Sequence, residues 1–210
     1  MKDTRTISTT DFNMPNIGTA TLLHNGLSLE HNNEFLKGLE QSLIGIGPVF
    51  DIGCWTGTIS FLTAAYFIEH NIDRTIYLFD TFKGHPESCK SDVDNEWQFD
   101  INCFKTPNID VIRKTFDRIG FDKYEIIEGD ITETLKDINI TPCFASIDMN
   151  YYNPTKTALN YLSTHHYDHT IIWEDDLNNI KGIDKAYNER TDLESINLGQ
   201  TRGAFFKFKQ

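Results

Sequence analysis

Five strand-like runs alternate with helix-like segments along this chain, and that alternation restricts the fold more than any other feature. The runs are "PVFDIG", "TIYLFD", "KYEIIEGD", "CFASIDM" and "HTIIWED". Between them lie "TISFLTAAYFIEH", "IDVIRKTFDRIG", a short "TETLKDI" and "PTKTALNYLSTHH", with "IKGIDKAYNER" after the fifth. Strands separated by helices pair in parallel through right-handed crossovers, so the sequence predicts an α/β sandwich. Two further runs, "ESINLG" and "RGAFFKF", are joined only by the short link "LGQT". They should form a C-terminal hairpin that brings an antiparallel strand into a seven-stranded, mostly parallel sheet. Upstream, "LSLEHNNEFLKGLEQSLIG" carries Leu29, Phe35, Leu36, Leu39 and Leu43 at helical spacing and stops at Gly45. Asn153 is expected to cap the helix whose first turn holds Pro154.

This pattern divides the chain into a polar leader or lid over residues 1–27 and a single domain over 28–210. Residues 83–107 break the rhythm, being too long for a tight connection and too polar for a core element, which suits a lid or substrate loop. The chain has 210 residues, 39% of them hydrophobic and 24% charged, enough to bury a real core. With 31 acids against 19 bases the net charge is −12, which argues against nucleic acid or an anionic membrane as partner. Four scattered cysteines without a CxxC pair argue against a disulfide framework or a zinc cluster. No apolar run is long enough for a membrane span, and the N-terminus lacks the apolar stretch of a signal peptide. A cytoplasmic protein acting on a small molecule or glycan is the expectation, with a homo-oligomer left open.

In open α/β sheets, ligands bind beyond the carboxyl ends of the strands. Asp51, Asp80, Asp130, Asp148, Asp175 and Asp176 all fall on that rim. "VFDIGCWTGTIS" is a strand, a turn punctuated by Gly53 and Gly57, and a helix start whose free N–H groups can face a ligand. It is not the GxGxxG of dinucleotide folds, since residue 55 is Trp. Asp80 ends the second strand, where a carboxylate can accept both ribose hydroxyls. Asp130 ends the third, within reach of an adenine amino group. Each acid alone reads as an ordinary strand end or helix cap; three in order after a glycine turn suggest S-adenosylmethionine.

Asp148 ends the fourth strand and Asp175 the fifth, one crossover apart. Neighbouring parallel strands lie about 4.8 Å apart, so the two ends sit side by side and Asp176 can swing to the same point. Three converging carboxylates repel unless a cation compensates them. All-oxygen ligation suits Mg²⁺, with Mn²⁺ or Ca²⁺ as alternatives. Glu174 faces away from Asp175 on the strand and reads either as an acid supporting the metal ligands from behind or as a surface acid. Asp148, between cofactor and metal, is the first candidate for catalytic proton acceptor. His85, on the loop after the ribose acid, is the second and also a substrate contact. Tyr151, Tyr152 and Trp97 can stack on a substrate ring, Tyr152 alternatively packing beneath its helix. His165, His166 and His169 gather at a helix end without a catalytic role.

The turn "DIGCWTG" and the segment "DTFKGHP" resemble the acid-x-Gly-x-Trp-x-Gly and Asp-Ser-Phe-x-Gly-x-Pro signatures of the macrocin O-methyltransferase (TylF-like) family. The resemblance runs from about residue 20 to the C-terminus. It departs where Gly129-Asp130-Ile131 replaces a Gly-Trp-Phe triplet, and where Asn150 replaces the second acid of an Asp-x-Asp-x-Tyr run. It implies a Rossmann-like class I methyltransferase sandwich, with Asp51, Gly53, Trp55, Gly57, Asp80, Thr81, Phe82, Asp130 and Asp148 at the cofactor and Asp148, Asp175 and Asp176 on the metal. The implied activity is metal- and S-adenosylmethionine-dependent O-methylation of a sugar hydroxyl on a natural product or glycan. Rival readings are a catechol-type methyltransferase, disfavoured because Tyr151 stands where many of those enzymes have Lys, a cephalosporin-hydroxylase-like enzyme, and a non-catalytic nucleoside-binding module.

Overall fold

The computed structural model describes residues 29–86, 89, 92, 103–105, 108–198 and 203–210. The leader over 1–27, Trp97 and most of the 83–107 insertion lie outside them. Seven strands form one sheet: β1 (Val49–Ile52), β2 (Ile76–Asp80), β3 (Tyr124–Glu128), β4 (Phe144–Ile147), β5 (Ile171–Glu174), β6 (Leu193–Ile196) and β7 (Ala204–Phe208). The helices are α1 (Leu29–Ser42), α2 (Thr58–Glu69), α3 (Ile109–Ile119), α4 (Ile131–Thr134), α5 (Tyr152–Thr164) and α6 (Lys181–Asn188). The expected "TETLKDI" helix is α4 followed by one 3₁₀ turn, Leu135–Asp137.

The strand order is β3-β2-β1-β4-β5-β7-β6. β1 pairs in parallel with both β2 and β4, and β7 runs antiparallel between β5 and β6, as the short C-terminal link requires. Period-2 alternation sends neighbouring strand residues to opposite faces. Val49, Leu78, Phe144 and Trp173 join Phe35, Leu39, Leu62 and Phe116 in one core layer. Phe50, Phe79, Ile147 and Ile172 join Leu159, Leu162, Ile183 and Tyr187 in the other. Both faces are therefore covered. Glu174 shows the consequence: it is completely buried, which removes the surface reading and leaves the one behind the ligands.

The expected capping of α5 also differs. Asn153 lies inside the helix, after the cap position Tyr151. Its backbone N–H instead donates to Asp92 Oδ2 at 2.8 Å, so a carboxylate from the 83–107 insertion serves the free N–H end of α5.

The β1–α2 turn is held by two neighbours at once. Gly53 N–H donates to Phe79 O at 2.8 Å, and Asp148 N–H donates to Ile52 O at 2.9 Å. A Cβ on Gly53 would lie 2.0 Å from the Asp148 carbonyl oxygen, and its φ of +86° already disfavours an L side chain. Beneath this turn Asp51 is buried and accepts from Ser60 Oγ on α2 at 2.6 Å. Burial first, and the nearby Asp80 charge second among the raising causes, push its pKa from 3.8 up to about 6.

Two outcomes follow from these contacts. Gly53→Ala should cost at least about 2–3 kcal/mol in urea unfolding, combining backbone strain with a clash. Gly120→Ala, also at positive φ but with no atom within 4 Å of the added carbon, should lose only about 1–2 kcal/mol. Asp51→Asn should raise stability at neutral pH, because it removes a buried charge while keeping an acceptor for Ser60. A rise from 3.8 to about 6 corresponds to about 3 kcal/mol at most. Since the folded pKa exceeds the unfolded one, the charge's cost is fully present above about pH 6 and fades as pH falls toward about 4. Unfolding curves at pH 7.5 and 4.5 check this; an equal gain at both would refute it.

Candidate active site

Parallel register brings the acid-bearing turns to one level. Ile52 stands opposite Ile147, and Ile147 opposite Glu174. The ladder continues past the strand ends, with Asp148 N–H on Ile52 O and Asp175 N–H on Ile147 O at 3.3 Å. The next turn, Asp176, follows directly. One carboxylate oxygen from each of Asp148, Asp175 and Asp176 lies within 4.8 Å of the others. Asp175 and Asp176 are buried and Asp148 is half-buried. Mg²⁺–oxygen bonds of 2.0–2.1 Å put opposite donors about 4.2 Å apart, so small side-chain adjustments would close this set on an ion. The donor chemistry thus fits a hard divalent cation.

Around the triad, the neighbours differ in kind. Asn150, at φ +61°, donates from Nδ2 to Asp148 Oδ1 at 2.9 Å. Glu174 accepts from Asp176 N–H at 3.3 Å and is held well above the usual carboxylate range by burial, then by the charge of Asp148. His31 of α1 places Nε2 3.0 Å from Asp175 Oδ1. His31 was not anticipated from sequence; Glu174 takes the place behind the ligands that was one of its two readings.

An open cleft begins at the same rim. It is lined by Gly53, Trp55, Asp80, Thr81, Gly129 and Asp130 together with His85, Pro86, Cys89, Phe104, Asn150 and Pro154. Asp148 lines the cleft and also belongs to the acidic triad. Asp80 accepts from Trp55 N–H at 2.8 Å and Phe82 N–H at 2.7 Å. Trp55 and Phe82 both take positive φ, 44° and 54°, to make these bonds. Burial raises the Asp80 pKa, and these N–H groups act against the rise. The carboxylate retains lone pairs for a diol. Thr81 Oγ1 donates to Gly84 O, closing the turn toward His85.

The remaining candidates are placed as follows. Asp130 lines the cleft but also caps α4 through Thr132 N–H at 3.0 Å, so both roles weighed for it are compatible with its position. Asp51 lies under the β1 turn, bonded to Ser60 rather than facing the cleft. Gly57 is the left-handed cap of α2, its position set by chain geometry. His85 lines the cleft and packs edge-on against Phe104 (5.3 Å) and Tyr151 (4.7 Å). Burial lowers its pKa, which leaves the imidazole neutral at pH 7. Tyr151 is 4% exposed, so it meets the site through His85 and not through an open face. Tyr152 packs at the α5–α6 junction, its hydroxyl donating to Glu189 at 2.7 Å. His165, His166 and His169 stack on Tyr161, Phe208 and Tyr167 away from the cleft. Among the described residues no helix is long and apolar enough to cross a membrane.

A search of curated proteins gave no sequence match. Solved structures do match in fold. The O-methyltransferase NovP superposes with a TM-score of 0.72 at 17% identity, covering 87% of this chain and 81% of NovP. CalS11, the calicheamicin methyltransferase, gives 0.70 at 19% identity over 95% of this chain and 89% of its own. The S-adenosylhomocysteine-bound Podospora anserina methyltransferase PaMTH1 gives 0.60 at 15% identity over 89% and 81%. The family model for macrocin O-methyltransferase (TylF) matches residues 28–200. With its strand order, its Asp80 cleft and its acidic rim, the chain belongs to the macrocin O-methyltransferase (TylF) family of S-adenosylmethionine-dependent O-methyltransferases.

Proposed function

We propose that this protein methylates a hydroxyl of a sugar moiety, with a divalent cation, Mg²⁺ foremost, held by Asp148, Asp175 and Asp176. The observation that carries the reading is the double membership of Asp148, which lines the cleft shared with Asp80 and belongs to the carboxylate triad. A cation at the triad would therefore stand beside the place where a methyl donor is read. CalS11 is described as a TDP-rhamnose 3′-O-methyltransferase, which supports a sugar hydroxyl as acceptor class.

In this mechanism Asp80 accepts the ribose hydroxyls, while Gly53 lets the β1 turn approach closely. Trp55, Thr81 and Asp130 line the same cleft, and Phe82, its side chain buried in the core, gives its backbone N–H to Asp80. S-adenosylmethionine supplies an electrophilic methyl group when bound, and the cation polarises an acceptor oxygen. The chain contributes alignment and removal of the hydroxyl proton; proximity of this kind is worth about 7–11 kcal/mol. Asp148 is a poor base while it ligates a cation and accepts from Asn150. His85, neutral and on the cleft wall, is the better proton acceptor, which reverses the order expected from sequence. Tyr151 supports the His85 ring from behind.

The test is a screen of sugar and sugar-nucleotide acceptors with S-adenosylmethionine labelled in the methyl group. Transfer should vanish in EDTA and return with Mg²⁺ or Mn²⁺; full transfer in chelator would remove the cation from the mechanism. Asp175→Asn should lower transfer by at least about 10²-fold while S-adenosylmethionine binding, read by calorimetry, stays within a few-fold of wild type. Because burial lowers the His85 pKa, kcat/KM should rise through a limb below pH 6.5 and level off at neutral pH. His85→Asn should flatten that limb and lower the plateau by about 10²–10⁴-fold. A persistent limb in His85→Asn would return the base role to another group.

A further inference from the structure

We propose that His31 is a positioning residue for Asp175, and that it couples helix α1 to the carboxylate triad. The inference rests on the metal-site reading above and assigns a function to an element that reading did not use. His31 is the third residue of α1 and only 3% exposed. A polar ring buried this deeply is costly unless it holds a partner. Its Nε2 lies 3.0 Å from Asp175 Oδ1, an ion-pair distance at which a small turn of either side chain would align a hydrogen bond.

The ring cannot easily turn away. It packs edge-on against Trp173 of β5, with centroids 4.9 Å apart. One helical turn later, Phe35 packs on the same indole at 5.1 Å. Residues four apart share a helix face, so α1 clamps Trp173 with His31 and Phe35 together. Asp175 is thus held twice: its backbone by β4, through Ile147 O, and its carboxylate by α1.

The geometry separates positioning from ligation. Among the described residues, only the three carboxylates bring ligand atoms within 4.8 Å of one another, and the ring nitrogens of His31 do not join that set. His31 therefore acts from behind Asp175. A donor behind a ligating carboxylate fixes which oxygen faces the ion, and loss of such a partner lowers metal affinity by about 10–100-fold. Coupling of this kind is reciprocal: if docked α1 strengthens cation binding, the cation must strengthen the docking of α1.

The experiment uses the full chain and Mn²⁺ alone as probe. Calorimetry would compare wild type, Asp175→Asn, His31→Ala, His31→Phe and His31→Gln. His31→Phe keeps a ring against Trp173 but has no donor, and it carries the test should His31→Ala fail to fold. The expected result is affinity lowered about 10–100-fold in His31→Ala and His31→Phe and largely restored in His31→Gln, whose amide N–H reaches the position of Nε2. Hydrogen exchange should show Mn²⁺ slowing the amides of α1 in wild type but not in His31→Phe. Binding lost in Asp175→Asn but unchanged in His31→Phe would overturn the His31 assignment and leave the metal site standing. Failure of wild type to bind Mn²⁺ at all would overturn both.

Discussion

The parallel pairing of β1 with β2 on one side and β4 on the other is the constraint on which the rest of the molecule depends. Val49 stands opposite Ile76 and Phe144 alike, so three strands end at a common level. The N–H groups of Gly53 and Asp148 then extend the ladders by one residue into the rim. A slip of one residue between β1 and β4 would exchange Ile147 for Asp148 in the core layer. Gly53 makes such a slip costly, because its backbone touches the Asp148 carbonyl at a distance no side chain permits. The turn that faces the cleft is also the contact that fixes the strand bearing Asp148.

Like charges at this rim are handled in distinct ways. Asp80 is compensated by the backbone N–H groups of Trp55 and Phe82, each bent to positive φ to reach it. Glu174 is pushed toward its protonated form by burial and by Asp148. Asp51 is pushed the same way less far, with the Ser60 hydroxyl opposing the rise. Asp148, Asp175 and Asp176 converge, and in the proposed mechanism a cation balances them. The backbone dipoles at Asp80 are fixed donors present before any ligand arrives. A bound cation could be withdrawn, so in the proposed mechanism the triad's electrostatics would depend on its supply.

Alternation of strand and helix made the sheet legible, because each segment obeys one periodicity and the short last link dictates an antiparallel return. The acids at strand ends were legible for the same reason. What escaped was set by tertiary contact. Period-2 logic left Glu174 either at the surface or behind the acidic rim; a sheet covered on both faces has no surface side, so the second placement is the one it takes. Asn153 followed local capping rules, yet the carboxylate at that helix end arrives from Asp92, 61 positions earlier. His31 sits in a segment whose pattern says only amphipathic helix; nothing local marks one position of its buried face as lying against Asp175. Asp51 carries the acid of a signature turn, but the β1 pleat turns it toward Ser60, beneath that turn.

Asn150 shows how one substitution redistributes work within such a rim. An acid there would add a further negative charge beside Asp148, Asp175 and Asp176. The amide instead donates to Asp148 Oδ1, which lowers the local repulsion and occupies the lone pair a proton would otherwise take. An amide also cannot accept the acceptor's proton as a base. Two carboxylates are thereby removed from the pool of bases, one by replacement and one by engagement. On the cleft wall Asp80 is engaged by two backbone N–H groups and Asp130 by the α4 cap, while His85 is kept neutral by its burial between Phe104 and Tyr151. In the proposed enzyme, the division between a metal-holding carboxylate and a proton-taking imidazole follows from that single amide.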